Sequence, residues 1–305
     1  MPSNQAPLGA LPARFRRPRL LIVGCGDVGL RVARELGARA RLLALTSSVD
    51  RRAELRAAGL LPIVGNLDQA SSLRRLAGLA DRVLHLAPPP AEGWTDPRTQ
   101  ALAQALRQRS LPAALVYAST SGVYGDCQGE LIRESRPVRP RTQRAIRRVD
   151  AENTVRFLGR SAWVRTSILR VPGIYAPDRE GGTPRERLLK HTPVLQAADD
   201  VYTNHIHADD LARACIAALW RGRAQRVYHA NDDSQLKMGD YFDLAADLYG
   251  LPRPPRVSRS SAPDKLPLML LSFMSESRRL DNQRLRTELR LCLRYPTVEQ
   301  GLKPG

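Results

Sequence analysis

The stretch Gly24-Cys25-Gly26-Asp27-Val28-Gly29 carries the clearest chemical signal in this chain. It has the spacing G-x-G-x-x-G. It follows the apolar run Leu20-Leu21-Ile22-Val23 and opens a stretch where Val28, Val32, Ala33 and Leu36 share one helical face. A strand turning sharply into a helix leaves free N–H groups and a positive dipole end at the turn, which suits a pyrophosphate. Gly24 is expected to allow the turn, Gly26 to let phosphate approach the backbone, and Gly29 to let helix and strand pack closely. Asp27 and Val28 belong to the same expected dinucleotide site.

The end of the second strand selects the nucleotide. An acid there would bind both ribose hydroxyls of NAD. This chain instead has Thr46-Ser47-Ser48, then Arg51-Arg52. Hydroxyls and guanidiniums suit a 2′-phosphate, so NADP is the expected cofactor, with NAD as the alternative. Thr46, Arg51 and Arg52 are assigned to it. So are Asn66 and Leu67, past the third strand, and Ala87 and Pro88, past the fourth.

These residues need elements to hold them. Buried-strand patterns recur at Leu20–Val23, 41–46, 61–64, 82–86 and 114–118. Helical stretches are expected between them, at residues 50–58, 73–79 and 99–109, and again over 142–158. Strand then helix, five times over, predicts an α/β fold: a Rossmann-type doubly wound parallel sheet with a small C-terminal cap over the substrate. Residues 161–169 and 226–230 are further expected strands. The domain reading is a flexible leader over 1–18, a dinucleotide-binding domain over 19–235 with a cap insertion at about 176–204, and a C-terminal cap over 236–305. Residues 277–295 alternate Arg with Leu and suggest an amphipathic helix.

The chain also resembles the extended short-chain dehydrogenase/reductases, the NAD-dependent epimerase/dehydratase family. Three segments carry the resemblance: Tyr117-Ala118-Ser119-Thr120-Ser121-Gly122-Val123-Tyr124-Gly125-Asp126, Leu169-Arg170-Val171-Pro172-Gly173-Ile174-Tyr175-Ala176-Pro177 and His205-Ile206-His207-Ala208-Asp209-Asp210-Leu211-Ala212. The family implies a Ser/Thr, a Tyr and a Lys at the nicotinamide. Thr120 matches the Ser/Thr. Counting back from Glu152 puts Arg148 where the Lys belongs and Arg144 where the Tyr belongs. There is no Tyr between Tyr124 and Tyr175. Arginine keeps a charge but scarcely titrates, so Arg144 is a poor acid/base. Tyr124 is the substitute acid, and Arg148 is a ribose or phosphate ligand. Its plainer role is a surface pair with Glu152.

The resemblance implies an oxidoreductase or epimerase acting on a sugar nucleotide or other small carbonyl compound, in a homodimer. The rival reading is a non-catalytic dinucleotide sensor. Residues 133–160 hold nine arginines against Glu134, Asp150 and Glu152, which suits an anionic substrate. His205, His207 and Asp209 lack a third ligand at diagnostic spacing, so no metal is expected; Asp209 or Asp210 is the expected helix cap.

Composition narrows the function classes. The 305 residues carry a net charge of +18. All but four of the 48 basic residues are arginine, and they are spread along the chain. Three Trp and four Phe give few stacking platforms, so nucleic acid is not an expected partner. No apolar run approaches the roughly 20 residues that span a bilayer. No secretory signal pattern opens the sequence, and the four cysteines are far apart. A cytoplasmic protein with reduced thiols is expected.

Overall fold

The computed structural model describes residues 17–303; all of the expected leader but Arg17 and Pro18 lies outside them. The first half alternates as the sequence pattern demands. Its elements are β1 (Arg19–Val23), α1 (Asp27–Leu36), β2 (Arg41–Thr46), α2 (Arg51–Ala57), β3 (Leu61–Val64), β4 (Arg82–His85), α3 (Pro97–Leu106) and β5 (Ala114–Thr120). Then come α4 (Gln143–Ala162), β6 (Arg165–Val171), α5 (Ala208–Arg221), β7 (Arg226–His229) and α6 (Met238–Tyr249). The seven strands form one sheet in the order β7-β6-β5-β4-β1-β2-β3. Every pairing in it is parallel. Strand order reverses between β1 and β4, so their C-terminal ends flank a crevice at the switch point.

Alternation along each strand sends side chains to two cores. Leu20 and Ile22 pack with Val32 and Leu36 of α1 and Leu211 and Cys215 of α5. Leu21 and Val23 pack on the other face with Leu102 and Leu106 of α3 and Val155 and Leu158 of α4. A third cluster joins Tyr175, Leu188 and Val194 to Tyr241 and Phe242 of α6 and to Val298 and Leu302. It is separate from the two cores on the sheet faces. Two short parallel pairs stitch distant segments together: Val194–Leu195 with Arg256–Val257, and Leu131–Ile132 with Arg279–Leu280.

Four local expectations are corrected. Residues 73–79 are not a regular helix; a tight 3₁₀ segment runs over Ala70–Leu76. Residues 161 and 162 end α4 instead of starting a strand, and Trp163 leaves the helix with φ 56°. Residues 277–295 are a two-residue strand, a short helix over Gln283–Thr287 and irregular chain. Leu285, Leu289 and Leu291 of this segment return to the core under α1 and α5, so part of the C-terminal stretch packs on the large sheet. Neither Asp209 nor Asp210 caps α5; Nδ1 of His207 accepts from the Asp209 N–H at 3.2 Å.

Candidate functional site

The glycine turn has the geometry its spacing requires. Gly24 sits at φ +84°, and a Cβ there would lie 2.4 Å from the backbone N of Ala87. Only glycine fits both demands. A Cβ on Gly26 would meet nothing within 4 Å. This is open space beside the N-terminus of α1, a cradle that a side chain would fill. A Cβ on Gly29 would come 3.3 Å from Ile22 of β1, so this glycine sets the helix-to-strand approach. Val28 and Asp27 line the same hollow.

That hollow is a cleft of about 210 Å³, with walls from the glycine turn, Ala118 and Ser119 of β5, and Arg148, Ile174 and Arg179. Arg148, Ile174 and Arg179 also line a second cavity of about 650 Å³ under the cap. The two spaces therefore meet along these three side chains. Thr120 stands at the junction end of β5, where its Oγ1 accepts from the Gly122 N–H at 3.2 Å. Arg148 donates to the Tyr117 hydroxyl at 3.0 Å and the Ala118 carbonyl at 2.8 Å. It makes no surface pair with Glu152. That carboxylate is 2% exposed and takes the fork of Arg170 at 3.0 and 2.7 Å and the Ser119 hydroxyl at 2.7 Å.

The structure does not bring Tyr124 into either space. It is 1% exposed. Its hydroxyl donates to Nε2 of His229 at 2.6 Å, because Nδ1–H of that ring donates to the Asp281 carbonyl at 2.9 Å. Burial pushes its pKa up to about 12, against a smaller opposing pull from Arg170. A tyrosine so placed packs the β5 loop and cannot reach a substrate in the cavity.

The remaining cofactor candidates stand outside the cleft walls, at the C-terminal ends of β2 to β4. Thr46 closes a turn by accepting from the Ser48 N–H at 3.2 Å. Arg51 forks onto Glu54 at 3.0 Å. Arg52 has a buried Nε without a hydrogen bond. Asn66 caps its own turn by accepting from the Asp68 N–H at 3.0 Å, and Leu67 packs on the α3 side. Asp68 holds Arg98, which donates to the Pro88 carbonyl at 3.3 Å, so these two strand-end loops are tied together. Ala87 is buried against Gly24.

The larger cavity is strongly basic. Arg144 and Arg148 line it from α4, Arg179 and Arg187 from the cap insertion and Arg278 from the C-terminal segment. Glu276 is the acid among its lining residues, and Arg278 binds it at 2.7 Å. Burial, then the neighbouring Arg148, pulls the Arg144 pKa below its ordinary value. Arg187 lies over the Phe242 ring at 4.3 Å. His205 stacks on Tyr241 with ring centres 4.1 Å apart, and burial drops its pKa to about 3, so it is neutral. Sequence reasoning missed Arg179, Arg187, Arg278 and Tyr241. Arg179 alone had a nearby signal, two residues past Tyr175-Ala176-Pro177. His85, at the end of β4, is a core residue: Nε2–H donates to Thr99 at 2.8 Å, and Thr99 in turn donates to Asp96. Among the described residues there is no metal-type cluster, and no helix is long and apolar enough to cross a membrane.

Comparison with known proteins agrees with this architecture. The family model described as the NAD dependent epimerase/dehydratase family matches residues 20–230. A conserved protein of unknown function from Silicibacter pomeroyi is 28% identical, with a TM-score of 0.76 over 93% of this chain and 96% of that one. The UDP-glucose 4-epimerase of Thermotoga maritima, solved with UDP-glucose, is 17% identical, with a TM-score of 0.77 over 93% of this chain and 96% of that one. The dTDP-glucose 4,6-dehydratase of Streptomyces venezuelae, solved with NAD, is 22% identical, with a TM-score of 0.73 over 93% and 94% of the two chains. Likeness at these last two identities is likeness of fold. Comparison with curated proteins gives no match.

Proposed function

Because the chain belongs to the NAD-dependent epimerase/dehydratase family, we propose that it binds an NAD(P) dinucleotide at the glycine turn and turns over an anionic, sugar-nucleotide-type compound beneath the cap. The observation that carries this reading is the junction of cleft and cavity along Arg148, Ile174 and Arg179. Arg148, Ile174 and Arg179 would then border both the dinucleotide and the compound in the cavity. A Cβ at Gly26 would stand in open space, so the turn has room for a phosphate there.

The chain's own groups then divide the work. Gly24, Gly26 and the first N–H groups of α1 receive the pyrophosphate. Asp27, Val28 and Gly29 shape the floor beneath it. Arg51 and Arg52, at the start of α2, suit a 2′-phosphate, which makes NADP the preferred form and NAD the alternative. The bound dinucleotide supplies or accepts hydride. Thr120 orients the substrate oxygen. Arg148 keeps a fixed positive charge beside the reacting end, which stabilises negative charge developing on that oxygen. Arg144, Arg187 and Arg278 attract the anionic part of the substrate. The usual Tyr and Lys of the family are replaced by arginines that scarcely titrate. Proton transfer must therefore come from water or the substrate, and turnover should be slow.

Parallel fluorescence titrations with NADPH and NADH test the binding half. Tight binding with NADPH preferred is the expected result; a folded protein that binds neither would overturn the assignment. Label transfer from deuterated NADPH to a panel of nucleotide sugars tests the reaction. The same arginine replacements favour a second reading, a non-catalytic dinucleotide sensor. That reading predicts binding with no label transfer, and a cofactor-dependent change in sedimentation.

A further inference from the structure

The tight turn at residues 176–182 begins the cap insertion and is docked on the start of α1. Three backbone bonds close it: the Ala176 N–H to Gly182 O at 3.2 Å, the Arg179 N–H to Ala176 O at 3.2 Å, and the Gly182 N–H to Arg179 O at 2.9 Å. A Cβ on Gly182 would lie 2.6 Å from Ala176 O, so the ring closes only around glycine. Two ion pairs fix the turn to α1. Asp178 binds Arg31 at 2.7 Å, and Arg179 Nε faces Asp27 Oδ2 at 3.3 Å.

The charge balance at this spot is unfavourable for a phosphate. Arg31 is 4% exposed, and each of its three nitrogens meets a different carboxylate: Asp27 at 3.0 Å, Asp209 at 2.6 Å and Asp178 at 2.7 Å. Its charge is fully committed. Asp27 Oδ2 is buried and accepts no hydrogen bond, and this residue directly follows Gly26, where the pyrophosphate would arrive. Three carboxylates and one committed arginine would repel an anion from the helix N-terminus. Arg179 is the remaining cation of this group. Arg179 lines both the cleft and the larger cavity, with one Nη held by the Ile174 carbonyl at 2.9 Å and the other Nη free to turn to a ligand.

We infer that Arg179 is a phosphate clamp for the dinucleotide: it screens Asp27 and donates to the pyrophosphate over Gly26, so that the insertion turn closes one side of the cofactor site. The inference rests on the dinucleotide reading above and adds a ligand from the cap to it. It gives Asp27 a definite cost when Arg179 is absent.

The test is a double-mutant cycle read by equilibrium binding. Wild type, Arg179→Ala, Asp27→Asn and the double variant are titrated with NADPH, ADP-ribose and adenosine. Arg179→Ala should weaken NADPH and ADP-ribose roughly ten- to hundredfold and leave adenosine unchanged. Adding Asp27→Asn should recover part of that loss, because the uncompensated carboxylate is gone while the lost phosphate donors are not replaced. Arg179→Gln keeps the side chain's bulk and should weaken the same two ligands, which separates lost charge from a disturbed turn. Unchanged NADPH affinity in both Arg179 variants would overturn the clamp. Equal losses for adenosine, or no recovery in the double variant, would also overturn it. Failure of the wild-type protein to bind any dinucleotide would instead overturn the proposed function.

Discussion

A methyl group at position 24 and one at position 26 would meet opposite surroundings. At Gly24 it would strike the Ala87 backbone at 2.4 Å, with φ at +84°. At Gly26 it would enter open space. Gly24→Ala should therefore destabilise the fold, by about 1–2 kcal/mol from the left-handed backbone alone and more from the clash. Gly26→Ala should leave thermal unfolding almost unchanged and abolish tight NADPH binding. Melting curves and titrations on the two variants separate these effects; a Gly26→Ala protein that binds normally would show that the pyrophosphate lies elsewhere. The geometry of this glycine turn was legible because it is local, set by the turn itself. Arg148 and Thr120 were legible by position on α4 and β5. Tyr124 was not: its sequence neighbourhood points to the cleft, but its hydroxyl goes to His229, 105 positions away. No local pattern carries that contact. Arg187 and Arg278 were hidden for the same reason, since the folding of the cap alone brings them together.

At the scale of elements, α4 does two jobs on two faces. One face presents Arg144 and Arg148 to the cavity. The other buries Glu152 between β5 and β6, bound to Ser119 and to Nε and Nη2 of Arg170. Arg170 is 3% exposed, so its charge has no route to water. Removing one partner of such a pair leaves the other buried and uncompensated. Glu152→Ala should cost about 3–5 kcal/mol, whereas replacing both residues by apolar ones of similar volume should recover much of that loss. Urea denaturation of the single and double variants measures both; a single variant as stable as wild type would deny the pair this role. The same helix shows what sequence patterning gives and withholds. Its start at Thr142 follows from a hydroxyl cap, which accepts from the Ala145 N–H at 3.2 Å. Its end was expected near residue 158, yet it runs to Ala162. Apolar residues around the boundary fit either a helix end or a strand start, and the left-handed Trp163 decides it. The Arg/Leu alternation of residues 277–295 misled similarly. Leu285, Leu289 and Leu291 are buried by the large sheet's own core, so tertiary packing sets their conformation, not helical period.

At the scale of the whole molecule, stability should depend on three histidines held neutral in the interior. His85, His205 and His229 are 1%, 7% and 0% exposed. Burial lowers the pKa of each to about 3. In the unfolded chain a histidine titrates near 6.5. Below that pH the unfolded chain takes up three protons that the folded chain refuses, so acidification favours unfolding. Each such histidine contributes a slope of about 1.4 kcal/mol per pH unit once its unfolded form is charged. Asp232 works in the opposite direction. Burial raises its pKa well above the ordinary carboxylate range, so the folded chain takes its proton first. Asp96, Glu134 and Asp200 are raised by burial too. They act in the same sense as Asp232. The three histidines together contribute a slope of at most about 4 kcal/mol per pH unit between pH 6 and 5, and the raised carboxyls reduce it. A domain of ordinary stability, roughly 5–15 kcal/mol, cannot absorb that slope for long. The melting temperature should hold above pH 7, fall steadily from pH 6.5 to 5, and fall less steeply in His205→Gln. A melting temperature that stays level from pH 7 to pH 5 would mean that these rings gain protons inside the folded chain, and that their burial is relieved by local opening.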